Sequence, residues 1–113
     1  MTTIKKQLLK ALKEKGESPE DLEAIFYQTI PKGRGYDNTD APIIKCAFDQ
    51  LPEREFDGSY GSVEGELIIA FTKCWVYIKT IYDGAEWIDA VPRNPENVLA
   101  LEKIKERIPI FGC

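Results

Sequence analysis

The feature that most constrains the fold is a β-hairpin signal in the C-terminal half of the chain. Strand-forming residues fill positions 67–71 and 75–82, and Asp83-Gly84 follows directly. This dipeptide is preferred in two-residue type I′ turns, and positions 86–91 supply a partner strand. The sequence therefore predicts an antiparallel sheet built around this hairpin, with an earlier chain reversal near Thr72-Lys73.

The segment 75–82 is bulky on both of its faces. Successive side chains of a strand point to opposite faces, and the two sets are Trp75, Tyr77, Lys79 and Ile81 against Val76, Ile78, Thr80 and Tyr82. Helices can cover one face of such a sheet. The other face is predicted to be a protein interface or a surface for self-association, because large exposed apolar patches mark such sites.

Amphipathic helices are predicted at both ends of the chain. Apolar residues at positions 4, 8, 9 and 12, a Thr3 N-cap and a Gly16 C-cap predict a helix over 3–15. Asn94-Pro95-Glu96 is a helix-start signature, and apolar residues at 98, 101, 104 and 108 predict a helix over 95–107.

The segment between the first helix and the hairpin is less regular. Ser18-Pro19 begins a helical turn over 18–22, and the strand formers that follow favour a strand over 23–30, with a continued helix as the alternative. A second strand is predicted over 43–48, between polar, Gly-containing loops at 31–42 and 52–65. Together these elements predict one α+β domain over 1–113. Its fold is an antiparallel meander sheet of about five strands, with an N-terminal and a C-terminal helix packed on one face.

Composition limits the chemistry that the chain can perform. It has no histidine and a net charge of −4, which removes the usual near-neutral acid/base group and disfavours direct nucleic-acid binding. Three cysteines with no CxxC spacing predict reduced thiols in a cytoplasmic protein, and the sequence predicts neither a signal peptide nor a membrane span. We expect no enzymatic activity, no metal site and no cofactor.

A small-molecule site is the alternative from another functional class. The Gly-containing loop over 57–66 resembles a phosphate cradle only superficially, because it leads into a strand and carries Glu64. Paired carboxylates near the last hairpin are a weaker signal of catalysis, since Asp83 is explained by its turn.

Several segments resemble small uncharacterised proteins of phages and prophages. The resemblance rests on Tyr82-Asp83-Gly84-Ala85-Glu86-Trp87 and on Pro92-Arg93-Asn94-Pro95, with generic matches between Tyr60 and Tyr77. About a third of the chain is covered. The resemblance implies a genomic context and brings no activity, cofactor or catalytic residue.

A phage origin and the lack of catalytic groups together predict a binding protein. It would inhibit a host defence system, in the manner of an anti-CRISPR or anti-restriction protein, by steric occlusion. The expected partner is a host or phage protein, and a second copy of the chain in a homodimer is the other expected partner. No direct contact with nucleic acid or membrane is expected. The predicted contact residues are Trp75, Tyr77, Asp83, Glu86 and Trp87, with Arg93 as a rim charge. A bacterial immunity-type interaction protein is the closest alternative.

Overall fold

A computed structural model describes residues 1–30, 41–59, 65–82 and 84–94 of the chain. Helix α1 spans Ile4–Glu14, and a short 3-10 turn follows at Pro19–Asp21. The strands are β1 (Ala24–Gln28), β2 (Ile44–Cys46), β3 (Leu67–Phe71), β4 (Trp75–Tyr82) and β5 (Ala85–Pro92). A second 3-10 turn, Phe48–Gln50, follows β2.

The predicted N-terminal helix is confirmed, together with its caps. Thr3 Oγ1 accepts a hydrogen bond from the Lys6 backbone N–H at 3.1 Å, which satisfies one of the free donors at the start of α1. Gly16 has φ +70° just after the helix, a conformation that glycine adopts without strain. The buried stripe of the helix is formed by Ile4, Leu8, Ala11 and Leu12.

The ambiguous segment after the helix resolves as a turn followed by a strand. Asp21 Oδ2 accepts from the Ser18 backbone N–H at 2.9 Å, which stabilises the turn at Pro19–Asp21. The chain then enters β1, so the favoured interpretation of 18–30 is confirmed and the continued helix is wrong. The apolar and aromatic residues of 24–28 account for this result, because they fit a half-buried sheet.

All strand pairs in the five-stranded sheet are antiparallel, and their order is β2-β1-β3-β4-β5. The predicted meander order is therefore wrong for the first two strands, since β1 lies between β2 and β3. Strand β1 pairs with β3 along 24–28, whereas β2 is short and exposes Ile44 and Lys45. A short strand with exposed side chains suits a sheet edge, and the longer apolar strands occupy the centre.

Helix α1 covers one face of this sheet, and the hydrophobic core lies between the two. Buried side chains of β1, β3, β4 and β5 meet the apolar stripe of the helix, and Leu51 joins them from the segment after β2. Phe56 is also fully buried, and its backbone forms an isolated bridge with Thr2. The opposite face of the sheet carries the exposed apolar residues described below.

Some sequence-based predictions concern residues that the structure does not describe, and the prediction for the cysteines needs correction. The C-terminal helix over 95–107, Asp83, residues 31–40 of the first polar loop and residues 60–64 of the second lie outside the described residues. The prediction of three reduced cysteines is wrong for Cys74, which is disulfide-bonded, whereas Cys46 is a free thiol. Within the described ranges, no helix has the length and apolar character needed to cross a membrane.

Candidate protein-binding surface

The face of the sheet opposite α1, called here the open face, is rich in exposed apolar side chains. Ile69 of β3 is 45% exposed and Ile78 of β4 is 37% exposed, although both are large aliphatic residues in the middle of a sheet. Phe26 and Phe71 lie beside them with an edge-to-face ring contact, their centroids 6.3 Å apart. Contiguous apolar surface of this kind is unusual on a chain that functions as a monomer.

The open face is also concave. Its side chains enclose a hollow of about 620 Å³ that is lined mainly by apolar groups, among them Phe26, Ile43, Leu67, Ile69, Phe71 and Ile78. Water inside an apolar hollow forms few hydrogen bonds with its walls. Apolar side chains of another protein can therefore replace that water with a gain in free energy.

The β4–β5 hairpin carries exposed aromatic residues at one end of the open face. Tyr82 is 74% exposed and Trp87 is 39% exposed. Tyr82 pairs with Ala85 across the two-residue turn, and Thr80 pairs with Trp87, so both rings lie on the same face. Gly84 has φ +83°, as the predicted turn requires. We call Tyr82 and Trp87 the hairpin aromatics.

The structure separates the predicted contact residues into buried and exposed groups. Trp75, Tyr77 and Glu86 are buried on the α1 side of the sheet, so their side chains offer no surface to a partner of the folded chain. We therefore do not expect these three residues to contact a partner. Trp87 remains accessible, and Asp83 lies outside the described residues.

Arg93 lies at the surface but is engaged within the chain. Its guanidinium forms an ion pair with Glu23 and donates to the Thr72 carbonyl oxygen at 2.8 Å. It also lies over the Phe71 ring, 5.7 Å from the centroid. These contacts hold the β3–β4 turn against the start of β1, so a structural role accounts for the residue.

Tyr77 is held by a hydrogen bond that crosses the core. Its hydroxyl donates to Glu17 Oε1, which also accepts from Thr72 Oγ1 at 2.9 Å. Burial, followed by the hydrogen bond to Glu17, raises the pKa of Tyr77 well above its ordinary value. The ring therefore belongs to the core and has no exposed edge.

This burial predicts a pH effect on stability. The unfolded tyrosine loses its proton near pH 10 while the folded one keeps it, so the unfolded state binds fewer protons above that pH and stability falls as pH rises. Replacement by Tyr77→Phe should cost about 1–2 kcal/mol at neutral pH through the lost hydrogen bond. It should also flatten the loss of stability above pH 10. Urea unfolding across pH would measure both effects, and an equally steep alkaline loss in the variant would contradict the assignment.

A buried charge cluster lies on the same side of the sheet as α1. Lys79 Nζ is 2.8 Å from Glu86 Oε1, and both side chains are almost entirely removed from solvent. Lys79 also donates to Gln7 Oε1 at 3.3 Å and lies 4.8 Å from the centroid of the Phe56 ring. Burial lowers the pKa of Lys79 even though the Glu86 carboxylate favours its charged form.

Glu66 is a second buried carboxylate near this cluster. Its Oε2 lies 3.2 Å from the Arg54 guanidinium, whereas its Oε1 has no hydrogen-bond partner in the structure. Among the residues that the structure describes, no group of three or more His, Cys, Asp or Glu side chains could hold a metal ion. The Lys79–Glu86 ion pair and the bond from Lys79 to Gln7 connect α1, β4 and β5.

A polar groove runs between α1 and the loop at 57–59. It encloses about 590 Å³ and is lined by groups such as Lys10, Asp57, Ser59 and the β5 residues 86–89. Asp57 accepts from the Ser59 hydroxyl at 2.6 Å, and the hydrogen bonds from Ser59 lower the pKa of Asp57. This groove is where the alternative small-molecule site would lie.

Comparison with known proteins yields no relatives: no family model, curated protein or solved structure matches the chain. The properties of the open face and of the polar groove are therefore the basis for the functional proposal.

Proposed function

We propose that the chain is a non-enzymatic protein-binding module that uses the hairpin aromatics to engage another protein. The observation that carries this proposal is the exposure of Tyr82 and Trp87 on one face of a two-stranded hairpin. Aromatic residues are the commonest anchors of protein interfaces because they bury a large area at low entropic cost.

The role that we propose for this binding is inhibition of a host defence system. A phage-encoded protein of the anti-CRISPR or anti-restriction type, acting in the cytoplasm, would block the substrate or partner site of its target by steric occlusion. The net charge of −4 supports a target with a basic surface, such as a groove that holds nucleic acid. The C-terminal helix expected over 95–107 belongs to this proposal as a sequence prediction.

The acidic side of the interface differs from the sequence-based expectation. Glu86 is neutralised by Lys79, so it cannot contribute its charge to a basic groove. Asp89 of β5 lies on the open face, where its carboxylate accepts from Thr80 Oγ1 at 2.9 Å and from Trp87 Nε1 at 3.1 Å. The second of these bonds fixes the indole ring, which lowers the entropic cost of using it as an anchor.

The experiment is a plaquing assay on bacterial strains that carry defined CRISPR or restriction systems. Expression of the chain should restore plaquing by a targeted phage on at least one strain, and Tyr82→Ala/Trp87→Ala should abolish the rescue. With the purified target, each single substitution should weaken binding by roughly 30-fold or more, since anchor residues are worth about 2 kcal/mol or more.

The matched control is Ile44→Ala, which removes an exposed apolar side chain of β2 that lies on the other face of the sheet from the hairpin aromatics. It should leave the rescue unchanged. Absence of rescue on every strain would overturn the defence role, and rescue that survives loss of both aromatic rings would overturn the proposed anchors.

Two other functions have a specific test. An immunity-type protein would use the same occlusion, and it would protect cells against a toxin encoded beside it. The polar groove between α1 and 57–59 favours a small-molecule site as the alternative from another class. A thermal-melt screen with nucleotides and sugars would support that function if one compound raises the melting temperature in proportion to its concentration.

A further inference from the structure

One row of residues crosses all five strands of the open face in direct register. Lys45 of β2 is opposite Phe26 of β1, which is opposite Ile69 of β3. Ile69 is opposite Ile78 of β4, and Ile78 is opposite Asp89 of β5. The row therefore has a cation at one edge of the sheet, three apolar side chains in the middle and an anion at the other edge. We call it the charge row.

The charge row is complementary to itself under one arrangement of two sheets. If two copies stack open face to open face about a two-fold axis parallel to the strands, β2 of each copy lies over β5 of the other. Lys45 then faces Asp89 twice, and Ile69 faces its own equivalent near the axis. A two-fold axis across the strands would instead place Lys45 over Lys45, which like-charge repulsion disfavours.

We propose that the occupant of the central open face is a second copy of this chain, held as an aligned two-sheet sandwich by the charge row. Stacked sheets lie about 10 Å apart, a distance that an extended lysine and an aspartate can span together. The arrangement removes Ile69 and Ile78 from water on both copies, which provides the driving force. A contact of this symmetry is closed, so it yields dimers and not open chains.

This inference goes beyond the proposed function because it rests on Lys45, Ile69 and Ile78, which are not part of the proposed target contact; Asp89, which also fixes the Trp87 indole, is the one residue common to both. Tyr82 lies four residues along β4 from Ile78, which is about 13 Å in an extended strand. A dimer centred on the charge row would therefore present two copies of this ring in one assembly. Target binding and self-association can then fail separately, because Ile69→Asp and Lys45→Glu leave both hairpin aromatics and Asp89 unchanged.

The test is sedimentation equilibrium of the full chain over a concentration series. Wild type should follow a monomer–dimer equilibrium, and Ile69→Asp should be monomeric throughout the series. Lys45→Glu and Asp89→Lys should each weaken the dimer by tenfold or more, because each places like charges in contact twice. Lys73→Glu, which changes an exposed lysine outside the row, should leave the dimer unchanged.

The decisive measurement mixes the two charge variants. A copy with Lys45→Glu and a copy with Asp89→Lys restore an opposite-charge pair at both ends of the row, so the mixture should form heterodimers with near wild-type affinity. Asp89 also accepts hydrogen bonds within its own chain, so thermal melts must first show that each variant is folded. A wild-type chain that stays monomeric at every concentration, or folded variants that fail to recover affinity on mixing, would overturn the proposal.

Discussion

Replacing Lys79 with methionine is expected to lower the free energy of unfolding by about 3–5 kcal/mol. Methionine keeps most of the side-chain volume but removes the cation that lies 2.8 Å from the buried Glu86 carboxylate. A buried charge that loses its partner is costly because the protein interior solvates it poorly. Urea unfolding at neutral pH would measure the loss.

Two further variants separate the charge effect from a change in packing. Lys73→Met, at an exposed site, should change stability by no more than about 0.5 kcal/mol. Lys79→Met/Glu86→Leu should be more stable than Lys79→Met alone, since the unpaired carboxylate is gone. The recovery should be partial, because Glu86 also accepts from the Gly65 backbone N–H. A Lys79→Met variant as stable as Lys73→Met would contradict the assignment.

The pH dependence of the same pair gives an independent check. Burial lowers the pKa of Lys79 in the folded chain below its ordinary value of 10.5. At any pH between the folded pKa and 10.5, the unfolded state therefore binds more protons than the folded state. Stability attributable to Lys79 therefore rises with pH across that window. The difference in stability between wild type and Lys79→Met should grow as pH approaches 10.5 from below.

The second large effect is expected from Gly65→Ala, with a loss of about 2–3 kcal/mol. A Cβ at position 65 would lie 2.6 Å from Phe56 Cε2 and 2.7 Å from Glu86 Oε1, far closer than van der Waals contact allows. The Phe56 ring cannot easily move, because it is fully buried and Lys79 lies over its face. The methyl group would therefore disturb the charge cluster as well as the core.

Gly58→Ala is the matched control for this substitution. Its Cβ would lie 3.2 Å from Gln7 Nε2 and 3.3 Å from the Glu86 carbonyl oxygen, so shifts of a few tenths of an ångström accommodate it. Gly65→Ala/Phe56→Leu should lose less stability than the sum of its single changes, because the smaller side chain makes room. Additive losses, or a Gly65→Ala variant close to wild type in urea unfolding, would show that the close approach does not constrain the fold.

Local signals in the sequence account for most of the secondary structure. The Thr3 cap, the Gly16 stop and the Asp83-Gly84 turn each act over a few residues, and the elements that they bound lie within one or two residues of the prediction. The order of β1 and β2 could not be predicted in this way. It depends on whether β1 or β2 pairs with β3, and packing across the whole sheet decides that pairing.

The choice of buried face was equally inaccessible to local reasoning. Trp75 and Tyr77 lie on one face of β4, and Val76 and Ile78 lie on the other. The two faces are similarly apolar, so composition alone does not predict which of them packs against the helix. The hydrogen bond from Tyr77 to Glu17 helps decide the outcome, and it joins residues 60 positions apart. The turn at Thr72 is held by both local and long-range bonds, since Thr72 Oγ1 accepts from the Trp75 backbone N–H at 3.1 Å and donates to Glu17 Oε1 at 2.9 Å.

One feature of the charge cluster could have been found from the sequence. A two-residue turn at 83–84 fixes the register of the hairpin, which places Ile81 opposite Glu86 and Lys79 opposite Ile88. Lys79 and Glu86 are therefore diagonal neighbours on the face that carries Tyr77. Their opposite charges on a face with large apolar residues indicate a buried ion pair and not an exposed acid.

The central claim is that Ile69 and Ile78, on the apolar face of the sheet opposite α1, are exposed in a single chain. Its most direct test is the enhancement of isoleucine methyl relaxation by a paramagnetic agent dissolved in the solvent, measured by NMR on dilute, monomeric protein. The methyl groups of Ile69 and Ile78 should be strongly enhanced, while those of the buried Ile25 and Ile68 stay protected. Equal protection of all four residues in the monomer would contradict the claim.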